Sequence, residues 1–283
     1  MKTIGQTSSA TLFVTALLFA TSAAAQGPKL SDIQKNIERC NRTDSKSADE
    51  QISGCTALIQ SDGNTPRSLG IAYNNRGNAF VTKGEYDRAI QDFDESIKAE
   101  PDRPKAYNNR GLAYQKKGEL DRAIADFDQS IKLEPNAAIA YVNRAETYQI
   151  KGDYPRAAAS YDQAINLLPT LGPAWNGRCR VRALIGQLPA ALADCDEAIR
   201  LEPNTARAFD ARGLTRLKMG HWDAAIADYN SALRLQPPLP SSLYGRGLAK
   251  IKQGGISAGK ADISRAIRLE PSITASFARY GVE

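Results

Sequence analysis

The side chains that most often carry catalysis are scarce in this chain. Its single histidine, His221, follows Gly220 at a position that we interpret as a solvated turn. Catalysis by a nucleophile and a base needs a positioned imidazole or a perturbed carboxylate. The run from Gly254 to Ala261 is one residue short of a phosphate-binding loop, and it has alanine where Ser or Thr should hold magnesium. These features predict a protein that is not an enzyme and binds neither a cofactor nor a metal.

Four cysteines are the other residues with possible chemistry. Cys40 and Cys55 have nearly the same separation as Cys179 and Cys195. In an oxidising compartment four cysteines suggest two disulfides, for which three pairings exist. A zinc site is less favoured, because neither pair forms a close Cys-x-x-Cys motif and the chain has one histidine. The choice of pairing depends on how the rest of the chain is organised.

A strict 34-residue repeat organises most of the chain. A fixed period of this kind marks an array in which each unit packs on its neighbours. Placing the recurring proline at position 32 defines six units, 70–103, 104–137, 138–171, 172–205, 206–239 and 240–273. The recurring residues are Pro101, Pro135, Pro169, Pro203, Pro237 and Pro271, with Gly84, Gly118, Gly152, Gly186, Gly220 and Gly254.

Each unit also has a column pattern of large and small residues. In the first unit, position 4 is Tyr73, the small positions 8 and 20 are Gly77 and Ala89, and position 24 is Phe93. Spacings of three and four put the large residues on one helical stripe, while the small residues let a second helix come close. Glycine tolerates the positive φ of a helix C-cap, and proline cannot continue a helix. Each unit is therefore predicted to be a helix, a glycine turn, a helix and a proline stop.

These columns resemble the tetratricopeptide repeat family, most clearly in Tyr107-Asn-Asn-Arg-Gly-Leu-Ala-Tyr114, followed by Ala123-Ile-Ala-Asp-Phe127 and Pro135. The resemblance runs from Gly70 to Ile273 without a gap. It implies an all-α fold, a right-handed α-solenoid of helix-turn-helix repeats, with the first helix of each unit lining a concave face.

The repeat columns select one cysteine pairing. Cys179 and Cys195 stand at positions 8 and 24 of one unit, on facing helices of the same hairpin. The sequence around Cys55 aligns with that around Cys195, which puts Cys55 in the position-24 column as well. Residues 26–69 are therefore predicted to form a degenerate N-terminal helical hairpin, closed by a Cys40–Cys55 disulfide, and a linker. Buried free thiols are the alternative, because position 8 accepts a small apolar group.

Arginine and aspartate form two further columns. Position 7 is arginine in every unit, and position 23 is aspartate in all but the third unit, which has Ser160. We expect these columns to face each other between packed helices, because a planar guanidinium can bond a carboxylate through two parallel contacts. Binding of an anionic ligand by the arginines is the alternative. The columns are Arg76, Arg110, Arg144, Arg178, Arg212 and Arg246, and Asp92, Asp126, Asp194, Asp228 and Asp262.

The resemblance also implies where a partner binds, since positions 2, 5, 6, 9, 12 and 13 of the first helices form the concave face in this family. Asparagines occupy several of these positions in the first three units, and a row of amides can hold an extended peptide backbone. This row is similar to the asparagine ladder of tetratricopeptide proteins that bind extended peptides. Helix capping or packing between repeats is the alternative. The residues are Asn74, Asn75, Asn78, Asn108, Asn109 and Asn143.

Farther along the array the candidate groove residues are Arg180, Lys218 and Tyr244, among aliphatic side chains. A mildly basic, aliphatic surface could hold an acidic or amphipathic segment of a partner, and solvated charges are the alternative. Residues 274–283 are expected to form a C-terminal capping helix over the last apolar face, because Phe277 falls in the position-4 column.

The first 25 residues have the pattern of a secretory signal peptide. Lys2 precedes an apolar run, residues 12–20, and three alanines, residues 23–25, precede Gln26. The apolar run is too short for a stable membrane anchor, so residues 1–25 are predicted to be a signal peptide and an uncleaved anchor is the alternative. The mature chain is then exported, to the periplasm or outside the cell. The net charge of +6 gives little support for a nucleic-acid partner.

Together these observations predict a non-catalytic scaffold that binds an extended peptide segment of a protein partner in its concave groove, in a bacterial periplasm. A second hypothesis is a structural subunit of a homo-oligomer or of a cell-envelope assembly. Binding of envelope polysaccharide is a third, for which the groove offers few aromatic side chains. The fold alone does not choose among them, because specificity lies in the details of the groove.

Overall fold

A computed structural model describes residues 30–42 and 47–282, and the predicted signal peptide lies outside these ranges. The described residues form fifteen α-helices and no strand. In chain order the helices are α1 Leu30–Cys40, α2 Ala48–Ile59, α3 Pro66–Thr82, α4 Tyr86–Ala99, α5 Pro104–Lys117, α6 Leu120–Leu133, α7 Ala138–Lys151, α8 Tyr154–Leu167, α9 Gly172–Leu184, α10 Leu188–Leu201, α11 Ala206–Lys218, α12 Trp222–Leu235, α13 Pro240–Lys252, α14 Ile256–Leu269 and α15 Ile273–Arg279.

The helices pair into hairpins, from α1 with α2 to α13 with α14, and each hairpin packs on the next. Consecutive first helices, such as α9 and α11, also contact each other. Within the described chain, no two consecutive second helices are in comparable contact. Helices on the inside of a curved stack approach one another more closely than those on the outside. The first helices therefore line the concave face, and the fold is an all-α repeat solenoid, as predicted.

The turns have the predicted backbone. All six turn glycines have positive φ, between 75° at Gly84 and 92° at Gly254, a conformation that glycine adopts without steric cost. The helices that follow end before the position-32 prolines, as α4 does at Ala99. Pro155 and Pro189 lie in the first turns of α8 and α10, where a missing N–H costs little.

The small residues at position 8 allow close packing within each hairpin. A Cβ atom added at Gly77 would lie 2.6 Å from the ring of Phe93, and one added at Gly213 would lie 2.8 Å from the ring of Tyr229. Both rings are fully buried. The predicted packing of position 8 against position 24 is confirmed, because the space beside these glycines is already filled by the second helix.

The array starts and ends differently from the 34-residue frame. Helix α3 begins at Pro66, before the expected unit start at Gly70, because Thr65 and Ser68 form a capping box ahead of a proline that suits the first helical turn. The Ser68 backbone N–H donates to Thr65 Oγ1 at 3.1 Å, and the Thr65 N–H donates to Ser68 Oγ at 2.9 Å. At the other end, α15 begins at Ile273, within the expected sixth unit.

The cysteines lie at two equivalent places in the fold. The structure joins Cys40 to Cys55 between α1 and α2, and Cys179 to Cys195 between α9 and α10, as disulfides. All four residues are buried. Among the residues that the structure describes, no cluster of His, Cys, Asp and Glu could hold a metal ion. The same residues include no helix with the length and apolarity needed to span a membrane.

The arginine and aspartate columns bond each other as predicted. Arg110 donates through Nε and Nη2 to Asp126, at 2.8 and 2.7 Å, and four other units repeat this bidentate pair. In the third unit Arg144 Nε donates to Ser160 Oγ at 3.2 Å. Burial alone would lower the pKa of Arg110, but its bonds to the carboxylates raise that pKa above the ordinary value.

Each of these arginines has a further bond that the columns did not predict. Arg110 Nη1 donates to Asp94 of the preceding hairpin at 2.6 Å, and Arg76 Nη1 donates to Thr56 of the first hairpin at 3.0 Å. The same bond to the preceding hairpin occurs in every later unit. The position-7 guanidinium groups therefore join neighbouring hairpins, which leaves them little capacity for an anionic ligand.

Candidate functional site

The asparagines of the first helices form one continuous chain of hydrogen bonds, which we call the amide relay. The side-chain amide of Asn143 donates to Asn108 at 2.9 Å, and Asn108 donates to Asn109 at 3.4 Å. Asn109 donates to Asn74 at 3.0 Å, and Asn74 donates to Asn75 at 3.4 Å. The relay ends where Asn75 donates to Asn41 at 3.1 Å. It therefore crosses three repeats and reaches the first hairpin.

The relay leaves half of the hydrogen-bonding capacity of its inner members unused. A carboxamide has two N–H donors and two acceptor lone pairs on its oxygen. Each inner amide of the relay uses one N–H donor and one acceptor lone pair in hydrogen bonds to its neighbours. One N–H and one lone pair per side chain are left, on groups whose orientation the relay already fixes. Such a preorganised row loses little side-chain entropy when it binds a ligand.

The exposed fraction of each predicted asparagine decides what it can offer. Asn75, Asn108, Asn109 and Asn143 are half-buried, so part of each residue stays accessible to a ligand. Asn74 is only 6% exposed and supports the relay from beneath, which differs from the expected contact with a partner. Asn78 is also half-buried and lies outside the relay. Some of these amides therefore connect neighbouring repeats, which was the alternative to binding a partner.

A change in packing explains why the asparagines stop after the third repeat. In the first two repeats the position-24 residue is phenylalanine, and position 6 of the next repeat is Asn109 or Asn143. In the third repeat that residue is Tyr161, and a Cβ atom at Gly177, position 6 of the next repeat, would lie well inside 3.0 Å of its ring. Tyr229 and Gly245 repeat the arrangement. The tyrosine occupies the place that the asparagine side chain takes in earlier repeats.

We expect Gly177→Asn to lower the free energy of unfolding by about 1 to 3 kcal/mol, the usual cost of overpacking a filled site. Adding Tyr161→Phe recreates the pair found in earlier repeats and should recover part of that loss. Urea denaturation of both single variants and the double variant gives the coupling, expected at about 0.5 to 3 kcal/mol in favour of the double variant. Simple additivity of the two substitutions would contradict this explanation.

Two cavities open on the concave face near the relay. The smaller, of about 340 Å³, lies beside Asn108 and is lined by Ala137, Ala138, Ala140 and the half-exposed Ile139. The larger, of about 530 Å³, lies farther along the array, between residues of the second to the sixth repeat. Its lining includes Gln115, Lys116, Glu146, Gln149, Tyr161, Asn176, Arg180, Arg207 and Asp210. We call these two spaces the relay pocket and the central cavity.

The central cavity has one buried polar atom that the described residues do not satisfy. Asn176 Oδ1 is buried and has no hydrogen-bond partner among the described residues. Partial desolvation in the groove raises the pKa of Glu146, and the charges of Arg207 and Lys116 partly offset this rise. A buried acceptor without a partner costs free energy. A donor from a bound molecule, such as a peptide N–H or a side-chain amide, would satisfy Asn176.

The C-terminal part of the concave face is occupied by the chain itself. Tyr244 is only 8% exposed, because Phe277 of α15 packs on it with ring centroids 4.6 Å apart. Arg180 forms an ion pair with Asp210 at 3.1 Å and also donates to Tyr280 Oη at 3.3 Å. Lys218 Nζ donates to the Tyr280 carbonyl at 2.8 Å. These three predicted groove residues do lie together, but they contact residues 273–282 and are not free for a partner in this conformation.

Models of tetratricopeptide repeats match two stretches of the chain. The model described as "TPR repeat" matches residues 77–118 and 213–254. Two models described as "Tetratricopeptide repeat" match residues 104–137 and 127–159. A comparison with curated protein sequences finds no match.

Solved structures with this architecture cover most of the chain. A tetratricopeptide repeat protein from Parabacteroides merdae has a TM-score of 0.68 and 16% identity, covering 88% of this chain and 99% of its own. PilW, a widely conserved type IV pilus biogenesis factor, has a TM-score of 0.65 and 17% identity, with coverages of 74% and 98%. A chain of the APC/C hetero-tetramer Cut9–Hcn1 has a TM-score of 0.69 and 14% identity, with coverages of 89% and 51%. At such identities the likeness establishes the fold alone.

Proposed function

The chain belongs to the tetratricopeptide repeat family, and on that basis we propose that it is a non-catalytic scaffold that binds an extended segment of a partner protein. The segment lies on the concave face, along the amide relay and toward the central cavity. The amide relay carries this proposal, because it holds a row of half-used, oriented amides on the face where the first helices meet.

A peptide backbone matches what the relay offers. An extended chain presents N–H and C=O groups at regular intervals, and the half-buried inner amides of Asn75, Asn108 and Asn109 each have one donor and one acceptor left. Contacts to the backbone give affinity with little dependence on the partner's sequence. The relay thus supports recognition of a chain conformation more than recognition of particular side chains.

The two cavities supply places for side chains of the bound segment. Because successive side chains of an extended peptide point to opposite sides, a segment along the relay directs every second side chain toward the first helices. The relay pocket has one aliphatic wall, residues 137–140, which accepts an apolar side chain, and its lining also includes Lys105, Ser130 and Glu134. The central cavity, with Asn176 and Glu146, accepts a side chain or backbone group that donates hydrogen bonds. This division predicts a partner segment that carries an apolar residue at one point and a hydrogen-bond donor at another.

Two further observations agree with a scaffold in an exported compartment. His221, the one histidine, lies exposed at the start of α12. The cysteines are paired and buried in the structure, as befits an oxidising compartment. We therefore propose that the mature protein acts after export, in the periplasm or outside the cell.

The test changes the relay and measures the recovery of partners. We expect the triple variant Asn75→Ala, Asn109→Ala and Asn143→Ala to recover at least tenfold less partner from an envelope extract than the wild-type protein. A photo-crosslinking residue at position 78, next to the relay, should label the same partner in the wild-type background.

The control replaces three exposed asparagines outside the first helices, Asn136, Asn166 and Asn204, by alanine. It should recover the partner as the wild-type protein does, and circular dichroism checks that both variants remain folded. Equal recovery by the relay variant and the control would remove the relay from the proposed function.

A further inference from the structure

The C-terminal segment of the chain, residues 273–282, lies against the concave face as a ligand would. It consists of the seven-residue helix α15 and the three residues that follow. Ile273 and Phe277 are 4% and 2% exposed and join an apolar cluster with Leu214, Leu217 and Leu248 of the first helices α11 and α13. The segment therefore covers more than the edge of the last repeat.

Tyr280 is recognised through both its side chain and its backbone. Its hydroxyl accepts a hydrogen bond from Arg180 Nη2, and the Arg180 guanidinium lies 5.5 Å from the centroid of the Tyr280 ring. Its carbonyl accepts a hydrogen bond from Lys218 Nζ at 2.8 Å. Arg180 belongs to the fourth repeat and is 100 residues away in sequence. A cap on the sixth repeat needs none of these contacts.

One receptor group, Arg180, is held in place independently of the segment. Asp210 bonds Arg180 at 3.1 Å and also accepts hydrogen bonds from Ser241 and Ser242, at 3.0 and 2.6 Å. Lys218 meets the segment through its bond to the Tyr280 carbonyl, and partial desolvation there lowers the pKa of Lys218. The array thus presents Arg180, oriented by Asp210, and the nearby Lys218 above an apolar surface.

The segment itself depends on this surface for its structure. A helix of seven residues is too short to be stable alone in water. Its start at Ser272 has no side-chain cap, and its outer residues Thr274, Ala275, Ala278 and Arg279 are exposed. One face, formed by Ile273, Phe277 and Tyr280, makes the contacts with the array. Such a segment can leave its site without disturbing the hairpins.

From these contacts we propose that the C-terminal half of the concave face is a receptor site for a short aromatic helix, and that residues 273–282 occupy it as an intramolecular ligand. The site selects an aromatic residue followed by tyrosine three positions later. A partner segment reaches Lys218, Tyr244 and the contact that Arg180 makes with Tyr280 only by displacing the chain's own segment. This inference does not depend on the proposed binding at the amide relay.

The test supplies the segment in trans to the full-length chain. The probe is a fluorescent peptide with the sequence of residues 272–282. We expect it to bind the variant Phe277→Ala with Tyr280→Ala at least tenfold more tightly than the wild-type chain, as measured by fluorescence anisotropy. A peptide carrying the same two alanine substitutions should not bind, and Lys218→Met added to the double variant should weaken binding of the intact peptide.

A matched control changes two exposed residues of the same helix, Thr274→Ala and Arg279→Ala, and should bind the probe as weakly as the wild-type chain. If the double variant does not fold, Tyr280→Ala alone replaces it, since that change leaves Phe277 in the apolar cluster. Failure of the folded variant to bind the peptide would overturn the proposal. Equal binding by the wild-type chain would also overturn it, because the site would then be open.

Discussion

Arg110→Met is expected to lower the free energy of unfolding by about 3 to 5 kcal/mol, the cost of breaking a buried ion pair from one side. Arg110 is the bidentate partner of Asp126, which is only 6% exposed. Methionine keeps much of the apolar stem but leaves this carboxylate in the protein without a compensating charge. Urea denaturation followed by circular dichroism measures the loss.

The third repeat provides a natural control for this substitution. There Arg144 faces Ser160, a neutral partner, and its ionic contact is with the half-exposed Asp128. Arg144→Met should therefore cost about 1 to 2 kcal/mol, as expected for a hydrogen bond and a surface ion pair. Similar losses for the two variants would show that the aspartate column contributes little beyond packing.

The deficit of Arg110→Met should depend on pH. Burial raises the pKa of Asp126 in the wild-type protein, and the bonds from Arg110 partly offset that rise. Without Arg110 the folded-state pKa rises further above the unfolded value, so the folded variant binds a proton more tightly than the unfolded chain. Relative to wild type, the variant is thus weakest at neutral pH and recovers as the pH falls toward about 4. A deficit that stays constant over this range would contradict the buried carboxylate as its cause.

Replacing Cys179 and Cys195 together by alanine is expected to lower the free energy of unfolding by about 3 kcal/mol, which is the chain-entropy value for a loop of this length. The two residues are separated by 16 positions and join the helices of a hairpin in the middle of the array. Urea denaturation in the absence of reductant gives the comparison.

Reductant distinguishes the disulfide from mere packing of the two sulfurs. It should lower the free energy of unfolding of the wild-type protein. The stability of a variant in which all four cysteines are replaced should not change. Loss of Cys40–Cys55 should act locally, because its hairpin stands at the end of the array and can open without the rest. Hydrogen exchange would then show faster exchange in α1 and α2 only. A wild-type protein indifferent to reductant would indicate free thiols.

Much of this architecture was predictable from single columns of the repeat. The turn glycines, the small residue at position 8 and the facing of position 7 and position 23 each follow from one residue type at one place. The relation between columns of neighbouring repeats was harder to see. The exclusion of asparagine by tyrosine was readable in principle, since Tyr161 and Tyr229 are each followed 16 residues later by glycine.

The occupied half of the groove was not predictable in this way. Contact between Tyr280 and Arg180 depends on the curvature of the array, which is the sum of small rotations between hairpins. Those rotations depend on packing details that no one column contains. Phe277 marked a helix correctly, but its column could not show that the helix turns toward the fourth and fifth repeats. The same holds for the link between Asn109 and Asn74, which needs the geometry of two repeats.

The arginine bonds to the preceding hairpin make the two ends of the solenoid unequal. Deleting the C-terminal hairpin leaves behind only a neutral acceptor, Asn230, which Arg246 of that hairpin would have bonded. Deleting one at the N-terminal side instead deprives an enclosed guanidinium of an acceptor. Removing the N-terminal hairpin should therefore lower the free energy of unfolding more than removing the C-terminal hairpin does. The first hairpin thus stabilises the first repeat, because its Thr56 provides the acceptor for Arg76.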